Sequence, residues 1–116
     1  MIRLVLIGFV LLLTAVPVSA AEVLQVRSSR LLQVGDHNRT YTVELACAAV
    51  DLSREAEAIS WLRTQVPRRR RVNLRPVGTR DGQLLARVTP IGQALDLSSG
   101  LVAESLAADS CSVEAA

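Results

Sequence analysis

Residues 1–20 decide how much chain is left to fold. Met1-Ile2-Arg3 is followed by an apolar run from Leu4 to Val16, then by Pro17-Val18-Ser19-Ala20. A short positive start, an apolar core and a small-residue end are the three parts of a secretory signal peptide. Val18 and Ala20 occupy the small-residue positions of the cleavage site, which puts the cut after Ala20. The run is shorter than the ~20 residues that a membrane-spanning helix needs, Gly8 and Thr14 interrupt it, and no Cys follows it to carry a lipid anchor. The expected mature chain is residues 21–116, which is 96 of the 116. That is one exported domain, periplasmic or secreted, with no transmembrane segment and a thin core.

Loss of Arg3 leaves 12 basic against 11 acidic residues, a net of +1, and every basic residue is Arg. This balance exerts no general pull on nucleic acid, so any attraction to an anion has to come from a local patch. The only two cysteines, Cys47 and Cys111, both fall in the mature part. In an exported domain they are expected to form one disulfide.

The pattern of side chains alternates along most of the mature chain. Glu22–Arg27 and Leu31–Val34 read as strands, and Gly35-Asp36-His37-Asn38 as the turn into a third strand over Thr40–Cys47. Asp51-Leu52-Ser53 opens a helix, with Asp51 or Ser53 as its cap. Ala56, Ile59, Trp61, Leu62 and Val66 form its apolar stripe, and Pro67 stops it. Arg71–Val77 and Leu84–Val88 read as two further strands about a Gly78–Gly82 turn, and Leu97–Ala107 as a second helix. Three strands, a helix, two strands and a helix make a mainly β chain. The expected fold is a five-stranded OB-type Greek-key barrel with two helices.

With that element order, the chain resembles a staphylococcal-nuclease-like (thermonuclease) domain over nearly all of its mature length. The resemblance is carried best by Gly92, Asp96-Leu97 and Leu101-Val102-Ala103-Glu104-Ser105-Leu106-Ala107, similar to the family's closing helix with Ser105 in place of a Gly. Leu85-Ala86-Arg87-Val88 resembles its fifth strand. Ala56, Leu62, Pro67 and Val72-Asn73-Leu74 resemble its first helix and fourth strand.

The resemblance implies a calcium site with two aspartates, a glutamate base and two phosphate-binding arginines. The family's Asp-Gly-Asp falls on Ser28-Ser29-Arg30, which puts Arg30 at the first metal position. Glu44 falls at the first arginine, Ala49 at the second metal aspartate, Leu52 at the general base and Gln83 at the second arginine. Asp51, Arg80 and Arg87 flank these positions. The site is therefore expected to be dead, with no catalytic residues, no metal and no cofactor. Arg30 and Glu44 are expected to pair across the second hairpin in its place.

Arg68-Arg69-Arg70-Arg71 is the remaining distinctive feature. It reads either as a solvated turn or as an anion-binding patch for nucleic acid, an acidic polysaccharide or an anionic membrane surface. Trp61 and Tyr41 are expected in the core, and His37 in a turn, with no role in catalysis or metal binding. The leading expectation is a monomeric, disulfide-stapled binding module for an anionic polymer or an envelope protein. The alternative is a divergent calcium-dependent phosphodiesterase acting on DNA or RNA.

Overall fold

Alternation along the strands decides which side of each is buried, and the buried sides meet in one core. A computed structural model of the protein describes residues 19–111. Residues 1–18 of the expected 1–20 leader and the tail 112–116 lie outside the described residues. In chain order the elements are β1 (Ser19–Val26), β2 (Leu31–Asp36), β3 (Arg39–Leu45) and β4 (Ala48–Ala49). A 3-10 turn (Leu52–Arg54) leads into α1 (Glu55–Gln65), followed by β5 (Arg71–Arg80), β6 (Gln83–Pro90), α2 (Leu97–Ala103) and β7 (Ala108–Asp109).

Five strands close into a barrel in the order β1-β2-β3-β6-β5, with β5 returning to β1. The β3–β6 pair is parallel and every other barrel pair antiparallel. This is the expected Greek-key closure of an OB-type barrel. Val23, Leu32, Val34 and Val43 point inward from β1–β3, and Val72, Leu74 and Val88 from β5 and β6. Leu62 of α1 and Leu97 and Leu101 of α2 join that core.

The hairpins are tighter than their turn clusters suggest. The β2–β3 ladder runs to Asp36 and Arg39, leaving His37-Asn38 as the turn with His37 at φ 57°. The β5–β6 ladder runs to Arg80 and Gln83 around Asp81-Gly82, at φ 52° and 80°. Two-residue turns with positive φ match the twist of the flanking strands, so pairing continues to the tip. The β5–β6 register shifts between Pro76 and Gly78, where proline has no N–H to give the ladder, and the β1–β2 register shifts between Val23 and Gln25. β1 begins at Ser19, so Ser19 and Ala20 pair with Leu74 and Asn73, ahead of the expected cut. Ala21↔Val72 and Glu22↔Arg71 are the pairings that a cut after Ala20 keeps.

α1 starts at Glu55, four residues after Asp51 and two after Ser53, the two expected caps. Residues 52–54 form the 3-10 turn, and neither Asp51 nor Arg54 caps through its side chain. Its buried stripe is Ala58, Leu62 and Val66, spaced four apart, while Ala56 is exposed and Ile59 and Trp61 are half-buried. Trp61 lies against Gly100 of α2, where a Cβ would come within 2.6 Å of its ring.

α2 is capped by Asp96, whose carboxylate accepts from the Ser99 amide and hydroxyl. It ends at Ala103, short of the expected Ala107, because Ser105 turns left-handed at φ 62°. The Ser105 amide then donates to Val102 O and the Leu106 amide to Leu101 O. This is the paired closure that normally uses glycine at the left-handed position. Ser105→Gly relieves the strain of that position while loosening the unfolded chain, and the strain is the larger effect. The variant is expected to gain about 0.5–1 kcal/mol in urea denaturation; an unmoved midpoint would contradict the strain.

Cys47 and Cys111 are bonded, with Cα atoms 4.9 Å apart. Cys47 does not end β3 as expected. It lies two residues further on, in a turn at φ 71°. The bridge sets β4 beside β7 as a two-stranded antiparallel ribbon. No helix among the described residues is long and apolar enough to cross a membrane.

Candidate functional site

On the outer face of the barrel, the β1–β2 loop, β3 and the segment leading into α1 enclose a cleft of about 620 Å³. The loop is shaped locally: the Ser28 hydroxyl accepts from the amides of Arg30 and Leu31. It is also fastened to α1. The Ser29 amide donates to Glu55 Oε2 at 3.0 Å and its hydroxyl to Glu55 Oε1 at 2.6 Å. Both carboxylate oxygens are thereby used on a buried serine. These bonds hold Glu55 below the ordinary glutamate range, the hydroxyl bond first and the amide bond second; burial opposes them and the charge of Arg30 adds to them.

Asp96 is also held below its ordinary value. Burial pushes it up, but the Ser99 hydroxyl and amide bonds and the nearby Arg87 outweigh that. Both groups have folded values below their unfolded ones. Their stabilisation is complete above the unfolded value and is lost as pH falls through the lowered one. Stability should therefore decline from about pH 5 to pH 3. Glu55→Gln should cost about 1–2 kcal/mol at neutral pH and flatten that decline, measured by urea denaturation across the range. Parallel pH curves for the two proteins would rule out Glu55 as a source.

Glu44 points out of the barrel between Val43 and Leu45, with Leu31 on one side of its strand and Leu85 on the other. Its side chain is 9% exposed, and it pairs with Arg80 at 3.4 Å. The expected Arg30–Glu44 pair does not form. Arg30 lies one residue before β2, in the loop, while the extension of β5 to Arg80 brings that guanidinium to Glu44. Arg80 is 58% exposed, so the pair is half in water and screened by salt. Arg30 is exposed and makes no ion pair among the described residues.

Four of the five positions onto which the family's functional residues fall, Arg30, Glu44, Ala49 and Leu52, line this one cleft. Gln83 does not; it lines a shallow groove with Arg39 and Tyr41. Tyr41 is half-buried rather than core, with the Arg39 guanidinium 5.3 Å from its ring centre. Asp51 is exposed. Arg87 is held by Asp96 at 3.1 Å.

The residues do not fit a calcium ion. Calcium needs several free oxygen ligands, whereas its two expected positions hold Arg30 and Ala49. Glu44 is taken by Arg80 and Glu55 by Ser29. Among the described residues no three His, Cys, Asp or Glu side chains gather.

The arginine run is spread out by the backbone, with Arg69 at φ 74°. Arg68 Nη1 donates to Leu24 O at 3.3 Å and Arg70 Nη2 to Ile91 O at 3.0 Å. Arg69 lies 3.7 Å from Glu22. Arg71 makes no ion pair among the described residues and lines a second, open cleft with Glu22, Asp36 and Arg39. His37 is exposed there, 3.6 Å from Asp36.

Of the cleft's charged groups, Arg80 was visible in the sequence only as a neighbour of an expected position, and Glu55 only as a helix-start acid. Nothing in the sequence marks Ser29 as the partner of Glu55, 26 residues away. Compared with known protein families and with characterised proteins, the chain finds no match.

Proposed function

We infer that this is an exported, disulfide-stabilised, nuclease-like domain that has lost catalysis and serves as a binding module for an anionic partner. The cleft carries this reading. The residues at the family's metal, base and first arginine positions line one cleft, and their chemistry is wrong for hydrolysis. Leu52 has no atom that takes a proton, so an attacking water has no base there. The two carboxylates nearby are spent on Arg80 and Ser29. Ser105 at the left-handed end of α2, where the family has glycine, supports the alignment at the other end of the chain. The unpaired guanidinium groups of Arg30 and Arg71, together with the rest of Arg68–Arg71, supply the positive surface.

The test is cleavage of single-stranded DNA by oxidised protein, with calcium and with chelator, alongside retention on heparin. No cutting and salt-sensitive retention are expected. Calcium-dependent cutting that is lost in Arg80→Gln would restore the divergent phosphodiesterase. Neither cutting nor retention would leave packing against an envelope protein.

A further inference from the structure

We propose that the cleft between the β1–β2 loop and the 3-10 turn docks an extended, acidic and aliphatic peptide segment of a partner protein. Leu52 anchors the aliphatic side chain and Arg30 receives the carboxylate. This rests on the reading of the domain as a binding module and names that module's partner.

Three observations carry it. First, Leu52 is 92% exposed and stands at the lip of the cleft beside Ala49, Val50 and Leu85. A single exposed leucine is ordinary; one that continues an apolar cleft wall is a ready contact for an aliphatic side chain. Second, the same cleft holds Arg30, exposed and without an ion pair among the described residues, and Arg80, which is more than half exposed although it holds Glu44. A guanidinium with free donors takes a carboxylate in a forked geometry. Third, β4 belongs to a two-stranded ribbon and pairs only with β7. Its other edge has no ladder among the described residues, and Ala48 and Ala49 line the cleft. An extended peptide adds to such an edge through its backbone.

The same residues disfavour a nucleic-acid strand in this cleft. No aromatic ring lines it, so bases have nothing to stack on.

The probes are a fluorescein-labelled peptide alternating leucine with aspartate, its leucine–asparagine counterpart and a labelled oligothymidylate. Polarisation is measured on the oxidised protein at physiological salt. The aspartate peptide should bind about tenfold tighter than the asparagine one, and the oligothymidylate more weakly than either. Leu52→Ser and Arg30→Glu change exposed side chains, so both should keep the thermal midpoint. Each should weaken the aspartate peptide about tenfold, as the loss of one buried leucine or one charge contact requires. Equal binding of the two peptides, wild-type binding by either variant, or tighter binding of the oligothymidylate would overturn the proposal. A domain that neither cuts DNA nor binds the peptide keeps the module reading and loses only this partner.

Discussion

Replacing Cys47 and Cys111 together with serine is expected to cost about 4 kcal/mol of stability, from the entropy of the freed unfolded chain. The bridge joins residues 64 apart. The loop it closes contains α1, β5, β6 and α2, so the unfolded oxidised chain is constrained across most of its length. In the folded state little is lost. Cys111 is exposed, and the ribbon that the bridge fastens has only the pairs Ala48↔Asp109 and Ala49↔Ala108. The effect therefore acts mainly on the unfolded chain, and the melting temperature should fall on the order of 20 °C. Guanidinium denaturation of the oxidised protein and the double serine variant measures it. A loss under about 1 kcal/mol would mean that the unfolded chain gains little freedom when the bridge is removed. In the serine variant the Ser110 amide, which donates to Cys47 O, should also exchange with solvent faster.

The barrel was legible in the sequence because a strand with one buried face must alternate. Val72 and Leu74 are buried between exposed Arg71, Asn73 and Arg75, as their spacing requires. Element ends were less legible for reasons that lie outside any short window. Asp81-Gly82 and His37-Asn38 turn in two residues because positive φ suits the twist of strands already paired, so residues that look like loop become ladder. α2 stops at Ala103 through a left-handed Ser105, a place where composition offers serine no reason to stop a helix. The β4–β7 ribbon had no signal at all: Ala-Ala has little strand preference, and the disulfide beside it brings the two segments together.

The cleft was half legible. Laying the chain on the nuclease-like pattern marked Arg30, Glu44, Ala49 and Leu52, and these four line one cavity. Which charges pair inside it was not legible. Pairing depends on how far the β5–β6 hairpin reaches and on where α1 begins, and both were misplaced by a few residues. An arginine two positions along an extended strand tip moves by about 7 Å, which decides whether Glu44 meets Arg30 or Arg80. The run Arg68–Arg71 shows the same limit from the other side. Four like charges adjacent in sequence left a solvated turn and an anion-binding patch both open, and nothing in the run itself shows that two of them donate to backbone carbonyls of the barrel and a third meets Glu22.

Leu62→Ala is expected to cost about 3–5 kcal/mol, the upper part of the range for a buried leucine. The reason is how little else holds α1. Its fully buried side chains are Ala58 and Leu62, with Val66 just past its end. Leu62 is the largest of the three and is wholly enclosed. Eleven residues are too few to stay helical in water unaided, so the helix depends on that contact. Polar fastening does not replace it. The Glu55–Ser29 bonds hold only the first turn, and at this partly exposed carboxylate they are worth about 1–2 kcal/mol together. The cavity left by alanine cannot be filled by sliding the helix, because Pro67 begins the next segment and Trp61 is set against Gly100 on the other side. Urea denaturation followed by circular dichroism and by the fluorescence of Trp61, the chain's only tryptophan, should show one transition moved to lower denaturant. A cost under about 1 kcal/mol would mean that the site collapses around the alanine. A separate early transition in Trp61 fluorescence alone would mean that α1 detaches before the barrel opens. The wall of the cleft that carries Glu55 would then be its least stable side.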